Sequence, residues 1–193
     1  ITPPLVRAIR QKTTEPIMSD EIICLIDKEN NLIGSVERSK MRFGVDYHRA
    51  TYIFIFNSNN ELIIQKRTLN KHFCPGFYGI ATGGVVAEGE SYQLSAQREL
   101  KEELGLELTL ENHGLFYTEG ERYRIWGKVF TCHYNSKLDG EIEMQADEVA
   151  AIEYLSIDDI LSNKKRLNFT PDTLDALYHY VEKRLILQPS DPD

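Results

Sequence analysis

Short apolar runs separated by polar turn clusters organise the first half of this chain. Residues 21–27 (EIICLID) predict a strand, the polar KENN that follows predicts a turn, and residues 32–36 (LIGSV) predict the returning strand of a hairpin. A second hairpin is expected from residues 51–56 (TYIFIF), through the turn Asn57-Ser58-Asn59-Asn60, to residues 61–66 (ELIIQK). Residues 68–78, with Pro75 and Gly76, read as a loop, and the pair Gly83-Gly84 comes next. The period then changes. Residues 91–104 read as a helix with Leu100 and Leu104 at i,i+4 on one face and Gly105 just past its end. Residues 122–134 and 148–155 are strand-like, and Ser156 followed by Asp159 suits the cap of a short helix. Thr170-Pro171 opens a last helix through residue 185, with Leu174, Leu177, Val181 and Leu185 near helical spacing. The pattern predicts one mixed α/β domain behind a short N-terminal tail, residues 1–17.

Composition narrows this further. A chain of 193 residues with 41% hydrophobic positions holds one ordinary core. Its charged fraction of 27% is that of a globular protein. No apolar run approaches the ~20 residues that span a bilayer. Residues 1–17 lack a signal-like apolar core, being broken by Pro3, Pro4 and Pro16 and carrying Arg7, Arg10 and Lys12. The net charge of -8 argues against nucleic acid polymers and anionic membranes as partners. A phosphate-bearing substrate would need local help against that charge, and a divalent cation is the obvious source. Three dispersed cysteines (Cys24, Cys74, Cys132) form no disulfide framework or CxxC site, which suits a cytoplasmic protein with reduced thiols.

The chemistry concentrates in GVVAEGESYQLSAQRELKEELGL, residues 84–106. Glu99, Glu102 and Glu103 lie three and four residues apart on the expected helix, so their carboxylates leave one face. Like charges at that spacing destabilise a helix by about 0.2–0.5 kcal/mol per pair, and oxygen donors clustered on a rigid element suit Mg²⁺ or Mn²⁺. A Glu-rich surface helix is the bland alternative. Against it, the segment resembles the Nudix box, G-x5-E-x7-R-E-U-x-E-E-x-G-U with U aliphatic, at every defined position including Leu100 and Leu106.

The resemblance implies the Nudix fold, a mixed sheet sandwiched between helices (α/β/α), over residues 18–187, with residues 188–193 a C-terminal tail. It puts metal ligands at Glu99, Glu102 and Glu103, with the Gly83 carbonyl added. Gly84, Glu90, Arg98 and Gly105 then hold the loop and helix in shape. The implied reaction is attack of metal-activated water on one phosphorus of a diphosphate, with Mg²⁺ as cofactor or Mn²⁺ in its place. A carboxylate must take the proton. Glu102 is one candidate, and Glu148 in QADEVAAIEYL is preferred among later acids, ahead of Glu141 and Glu143. Glu102 and Glu103 are both expected to be partly exposed. Arg49, Lys66 and Arg67, at strand ends near the box, are candidates for substrate phosphates. Tyr117, Tyr123 and Trp126 are candidates for stacking on a base, against core packing. The substrate class is a small-molecule diphosphate, foremost a nucleoside diphosphate derivative; a homodimer is compatible with this reading.

Two stretches, DKENNLIGSVERSKM and HRATYIFIF…LIIQKRTLNKHFCPGFYG, also resemble the isopentenyl-diphosphate-isomerase-like branch of the superfamily. The departures oppose isomerase chemistry. Thr82 falls where the isomerase has its catalytic cysteine, Gly84 falls on a metal histidine, and Cys74 comes too early to substitute. Only His48 matches a metal histidine, and a packing role suits it better. The alternatives to a hydrolase are therefore such an isomerase, or a non-catalytic nucleotide-binding protein on the same scaffold.

Overall fold

The computed structural model describes residues 20–163 and 167–187. Both expected tails, 1–17 and 188–193, lie outside the described residues. The chain forms strands β1 (Ile22–Ile26), β2 (Leu32–Glu37), β3 (Tyr47–Phe56), β4 (Leu62–Arg67) and β5 (Tyr78–Gly79), then helix α1 (Tyr92–Leu104). Strands β6 (Glu111–Gly120), β7 (Tyr123–His133) and β8 (Val149–Leu155) follow, then helices α2 (Ile157–Asn163) and α3 (Pro171–Leu187). Both turns of the two hairpins are built alike. Asp27 Oδ1 accepts the amides of Glu29 and Asn31, and Asn57 Oδ1 accepts those of Asn59 and Glu61. Asn30 and Asn60 take the left-handed conformation that asparagine tolerates, with φ of 67° and 60°.

Strand β3 is the centre of the sheet. One edge pairs in parallel with β7 along its whole length, from His48↔Ile125 to Phe56↔His133. The second hairpin, by contrast, opens almost at once: β3 and β4 share only Phe56↔Leu62. Strand β4 turns instead to β5 and β8. The gap left beside β3 is filled by residues 82–86, through Ile53 N to Thr82 O (2.7 Å), Thr51 N to Gly84 O (2.9 Å) and Val86 N to Arg49 O (2.9 Å). The segment expected to approach a ligand is thus stitched into the middle of the sheet.

Alternation along β3 divides the core. Tyr52, Phe54 and Phe56 face Ala176, Leu177 and Tyr180 of α3 and Ile160 of α2. Ile53 and Ile55 face Ala96, Leu100 and Leu104 of α1, with Phe130 and Cys132 of β7. A strand buried on both faces between helices gives the expected α/β/α sandwich. Three expectations need correcting. The apolar stripe of α3 stops at Val181, and Leu185 is exposed. Strand β3 starts at Tyr47, and β6 was not expected at all, because a bulge between Asn112 and Gly114 breaks its period. All three cysteines are free thiols, Cys24 and Cys132 buried.

Candidate active site

Helix α1 carries the box. The Ser91 hydroxyl caps its start, accepting the Leu94 amide at 3.2 Å. Gly105, with φ of 68°, ends it in the left-handed conformation, its amide reaching the Lys101 carbonyl. The orphan carbonyls of the last turn are taken by a distant segment. Glu143 N donates to Leu104 O (3.0 Å) and Gln145 N to Glu103 O (2.9 Å). This docking carries residues 141–148 alongside the carboxylates of α1.

Arg98 is the hub of the acidic face. It holds Glu90 bidentately at 2.8 and 3.0 Å, and its Nη1 donates to Glu99 Oε1 (2.9 Å) and Glu102 Oε2 (3.0 Å). Glu90 also accepts the Ala87 amide at 3.3 Å, which ties the loop to the helix. Its carboxyl is pulled below the usual range by the hydrogen bond from Arg98. Gly84 has no room for a side chain: a Cβ there would lie 2.4 Å from Glu99 Oε1. Gly83 is more constrained, with φ of 143° and the Thr51 carbonyl 2.1 Å from where a Cβ would sit. Among the described residues no backbone amide donates to the Gly83 carbonyl, whereas Gly84's is taken by Thr51.

The three box carboxylates differ sharply. Glu102 is exposed and turned onto Arg98. Glu99 is buried, and burial raises its pKa to about 7 against the opposing pull of Arg98, with Glu21 and Glu102 adding to the rise. Glu103, expected to be partly exposed, is only 8% exposed, which corrects that expectation. One position beyond Glu102, it turns toward the sheet, where Gln65 Nε2 reaches it at 3.2 Å. Burial first, then the charges of Glu99 and Glu148, raise it to about 8. Glu148 stands on the same flank. Burial pushes it up, but Lys71 Nζ at 2.6 Å and a hydrogen bond with Glu103 outweigh that, and its pKa ends below the usual range. Glu141 and Glu143 point outward, alternating with buried Ile142 and Met144.

The expected cationic residues do not join this group. Arg49 spends its guanidinium on Asn30 at the β1–β2 turn (2.8 Å twice), Arg67 on the Phe73 carbonyl, and Lys66 lies over the Tyr78 ring. Lys71 and Arg38 come closer. Arg38 bonds Glu21 at 2.9 Å, and Glu21 lies 3.6 Å from Arg98. Sequence spacing offered no signal for either, since Lys71 meets Glu148 across 77 positions of chain. Thr82 and His48 are both buried, the Thr82 hydroxyl taking the Gln65 amide at 2.5 Å. Among the described residues no three His, Cys, Asp or Glu side chains converge into a ready-made metal cage; Arg98 Nη1 bridges Glu99 and Glu102 instead. Two open grooves of about 470 and 340 Å³ share Glu111, Thr131 and His133 and touch none of these carboxylates.

A mixed sheet between helices, with a capped helix presenting ordered carboxylates against a glycine loop, defines the class, and comparison with known proteins agrees. The NUDIX domain model matches residues 46–177. An uncharacterized Nudix hydrolase of Pseudomonas aeruginosa, PA4841, is 36% identical over 163 residues, 84% of this chain and 94% of its own length. The chain belongs to the Nudix family of hydrolases. In fold it is similar to the crystal structure of DR0079 from Deinococcus radiodurans, at a TM-score of 0.70 and 20% identity, covering 82% of this chain and 98% of that one. It is also similar to the NUDIX domain of Shewanella oneidensis NrtR, solved with ADP ribose, at a TM-score of 0.57 and 16% identity, covering 72% and 88%. No described helix is long and apolar enough to cross a membrane.

Proposed function

We propose that this chain hydrolyses the diphosphate linkage of a small molecule, a nucleoside diphosphate derivative in the first place, with a divalent cation held by Glu99, Glu102, Glu103 and the Gly83 carbonyl. The observation that carries this is a cluster of buried carboxylates beside the glycine loop. Glu99 and Glu103 are nearly buried on one helix face, Glu148 adds a third carboxylate, and both box residues are pushed toward the neutral form. Buried oxygens of that kind, beside an unclaimed carbonyl, fit a hard cation such as Mg²⁺, with Mn²⁺ as a substitute. Bound there, the cation would supply Lewis acidity and neutralise phosphate charge.

The chain's own residues supply the rest. Arg98 and Glu90 hold the helix and loop in register. Glu148, kept ionised by Lys71, is assigned to accept the proton of the attacking water, and Glu102 is the alternative within the box. The solved NrtR domain with ADP ribose makes a nucleoside diphosphate compound a reasonable substrate class. Placement in the isopentenyl-diphosphate-isomerase-like branch rests on sequence, and Thr82 opposes its chemistry. Its hydroxyl is engaged by Gln65 and is too weak an acid to replace a thiol.

The test is a panel of diphosphate compounds with Mg²⁺ and Mn²⁺, run beside Glu102→Gln, with isopentenyl diphosphate included and its alkene followed by NMR. A phosphate-bearing product from some member, lost in the variant, is the expected result. Appearance of the dimethylallyl isomer at enzymatic rates would overturn the hydrolase reading.

A further inference from the structure

The sheet face toward α1 is only half covered. Around Ile53 and Phe130 the helix packs on it, while toward the start of β3 the first residue of α1, Tyr92, reaches over the same face with its hydroxyl on the Trp126 carbonyl at 3.1 Å. The registers of β3, β6 and β7 arrange its side chains in rows: Glu119, Arg124 and Tyr47, then Tyr117, Trp126 and Arg49, then Leu115, Lys128 and Thr51. The rings form a ladder. Tyr117 lies 5.6 Å from Trp126 and 6.3 Å from Tyr47, nearly parallel to the latter at 17°. All three are partly exposed, and the Trp126 indole N–H is fixed on the Lys28 carbonyl at 2.9 Å.

Two cations flank this ladder. Arg49 and Lys128 lie 5.7 and 5.2 Å from the centroid of the same ring, Tyr92 at the start of α1. Arg124 is answered by Glu119 at 3.0 Å; among the described residues Lys128 has no carboxylate partner, and Arg49 has none either, its Nε and Nη2 being held by the neutral Asn30. In a chain of net charge -8, two uncompensated cations beside one ring make a local positive field. Tilted rings beside cations suit a flat aromatic group that carries an anion.

We infer that this face binds a mononucleotide, its base against Trp126 and Tyr117 and its phosphate between Arg49 and Lys128. The site is separate from the carboxylate cluster. Glu103 and Glu148 lie on the β4–β8 flank, with β3 between them and the β6–β7 flank, and Glu99, against Gly84 beside Thr51, is the box carboxylate that comes nearest.

Trp126 is the only tryptophan, so its fluorescence reports on this face alone. The full chain is titrated with AMP under chelation, so that no cation can hold the nucleotide at the carboxylates. Adenosine and inorganic phosphate serve as the ring-only and anion-only arms. AMP should perturb Trp126 saturably and more tightly than either arm. Lys128→Glu should weaken it by about tenfold or more, the scale of one lost charged contact, and Arg49→Gln should weaken it in the same direction. Glu102→Gln should titrate as wild type does. An absent AMP response, or one unchanged in both cation variants, overturns the site. A response lost in Glu102→Gln moves it to the catalytic cluster and overturns its separateness. Tighter binding of a short oligodeoxythymidine than of AMP would make the face a strand-binding surface instead.

Discussion

Glu102 and Glu103 are chain neighbours in opposite surroundings, and their variants should separate accordingly. Replacing either with Gln should lower turnover by roughly three orders of magnitude if each contributes the several kcal/mol expected of a cation ligand. Their stability effects should differ. Glu103 has a folded pKa of about 8, above its ordinary value of 4.5. A carboxyl raised on folding favours the native state fully only below its unfolded pKa, and that advantage is lost as pH climbs through the folded value. Under chelation, Glu103→Gln should therefore melt above wild type at pH 8 and close to it near pH 4. Each kcal/mol recovered moves the midpoint by about 2–4 °C. Glu102→Gln removes an exposed carboxylate that bonds Arg98 at 3.0 Å, and its effect on stability should be small. A Glu103→Gln midpoint that follows wild type across this pH range would refute the assignment of Glu103 to the interior. His48 tilts the curve the other way. Burial lowers it to about 4 from 6.5, so its contribution is intact above pH 6.5 and is lost as pH falls toward 4. Replacing His48 with Gln should flatten the acid limb of thermal unfolding.

At the scale of elements, adjacent glycines serve different ends. In Gly84→Ala the atoms nearest the new methyl are the carboxylate end of Glu99. Stability should fall by about 1 kcal/mol, while a displaced ligand costs on the order of a hundredfold in rate. In Gly83→Ala the methyl meets the Thr51 backbone at a φ closed to alanine, and the loss should be about 3 kcal/mol or more. Unfolding midpoints and kcat measured side by side would expose either failure. The same elements explain how far sequence alone could see. The box was legible because its glycine, glutamate and arginine positions resemble a family motif; the i,i+3 and i,i+4 spacing alone left a surface helix open and hid the inward turn of Glu103. Strand β6 was not, because Gly114, at φ of 93°, shifts its register and leaves Phe116 and Thr118 as its buried positions. Lys71 was not, because its partner Glu148 is supplied by another strand's entry loop. The open hairpin was hidden for the same reason: nothing local says that residues 82–86 will displace β4 from β3.

For the whole molecule, the proposed need for a metal follows from charge. A chain at -8 draws Glu21, Glu99, Glu102, Glu103 and Glu148 into one region against Arg38, Lys71 and Arg98, and the proposed hydrolysis of a polyanion there calls for a cation. Exhaustive chelation should abolish hydrolysis and Mg²⁺ should restore it; activity untouched by chelation would sink the metal reading. The central strand carries a different consequence, for synthesis. Strand β3 is apolar on both faces, and its long partner β7 ends at His133. A ribosome releases β3 well before that partner, and even residues 82–86 emerge only after the β3–β4 turn has passed. Until then TYIFIF is an exposed, uncharged edge of the kind that captures other chains. Truncations released before residue 123 should bind holdase chaperones and aggregate, and those extended past residue 133 should begin to resist both.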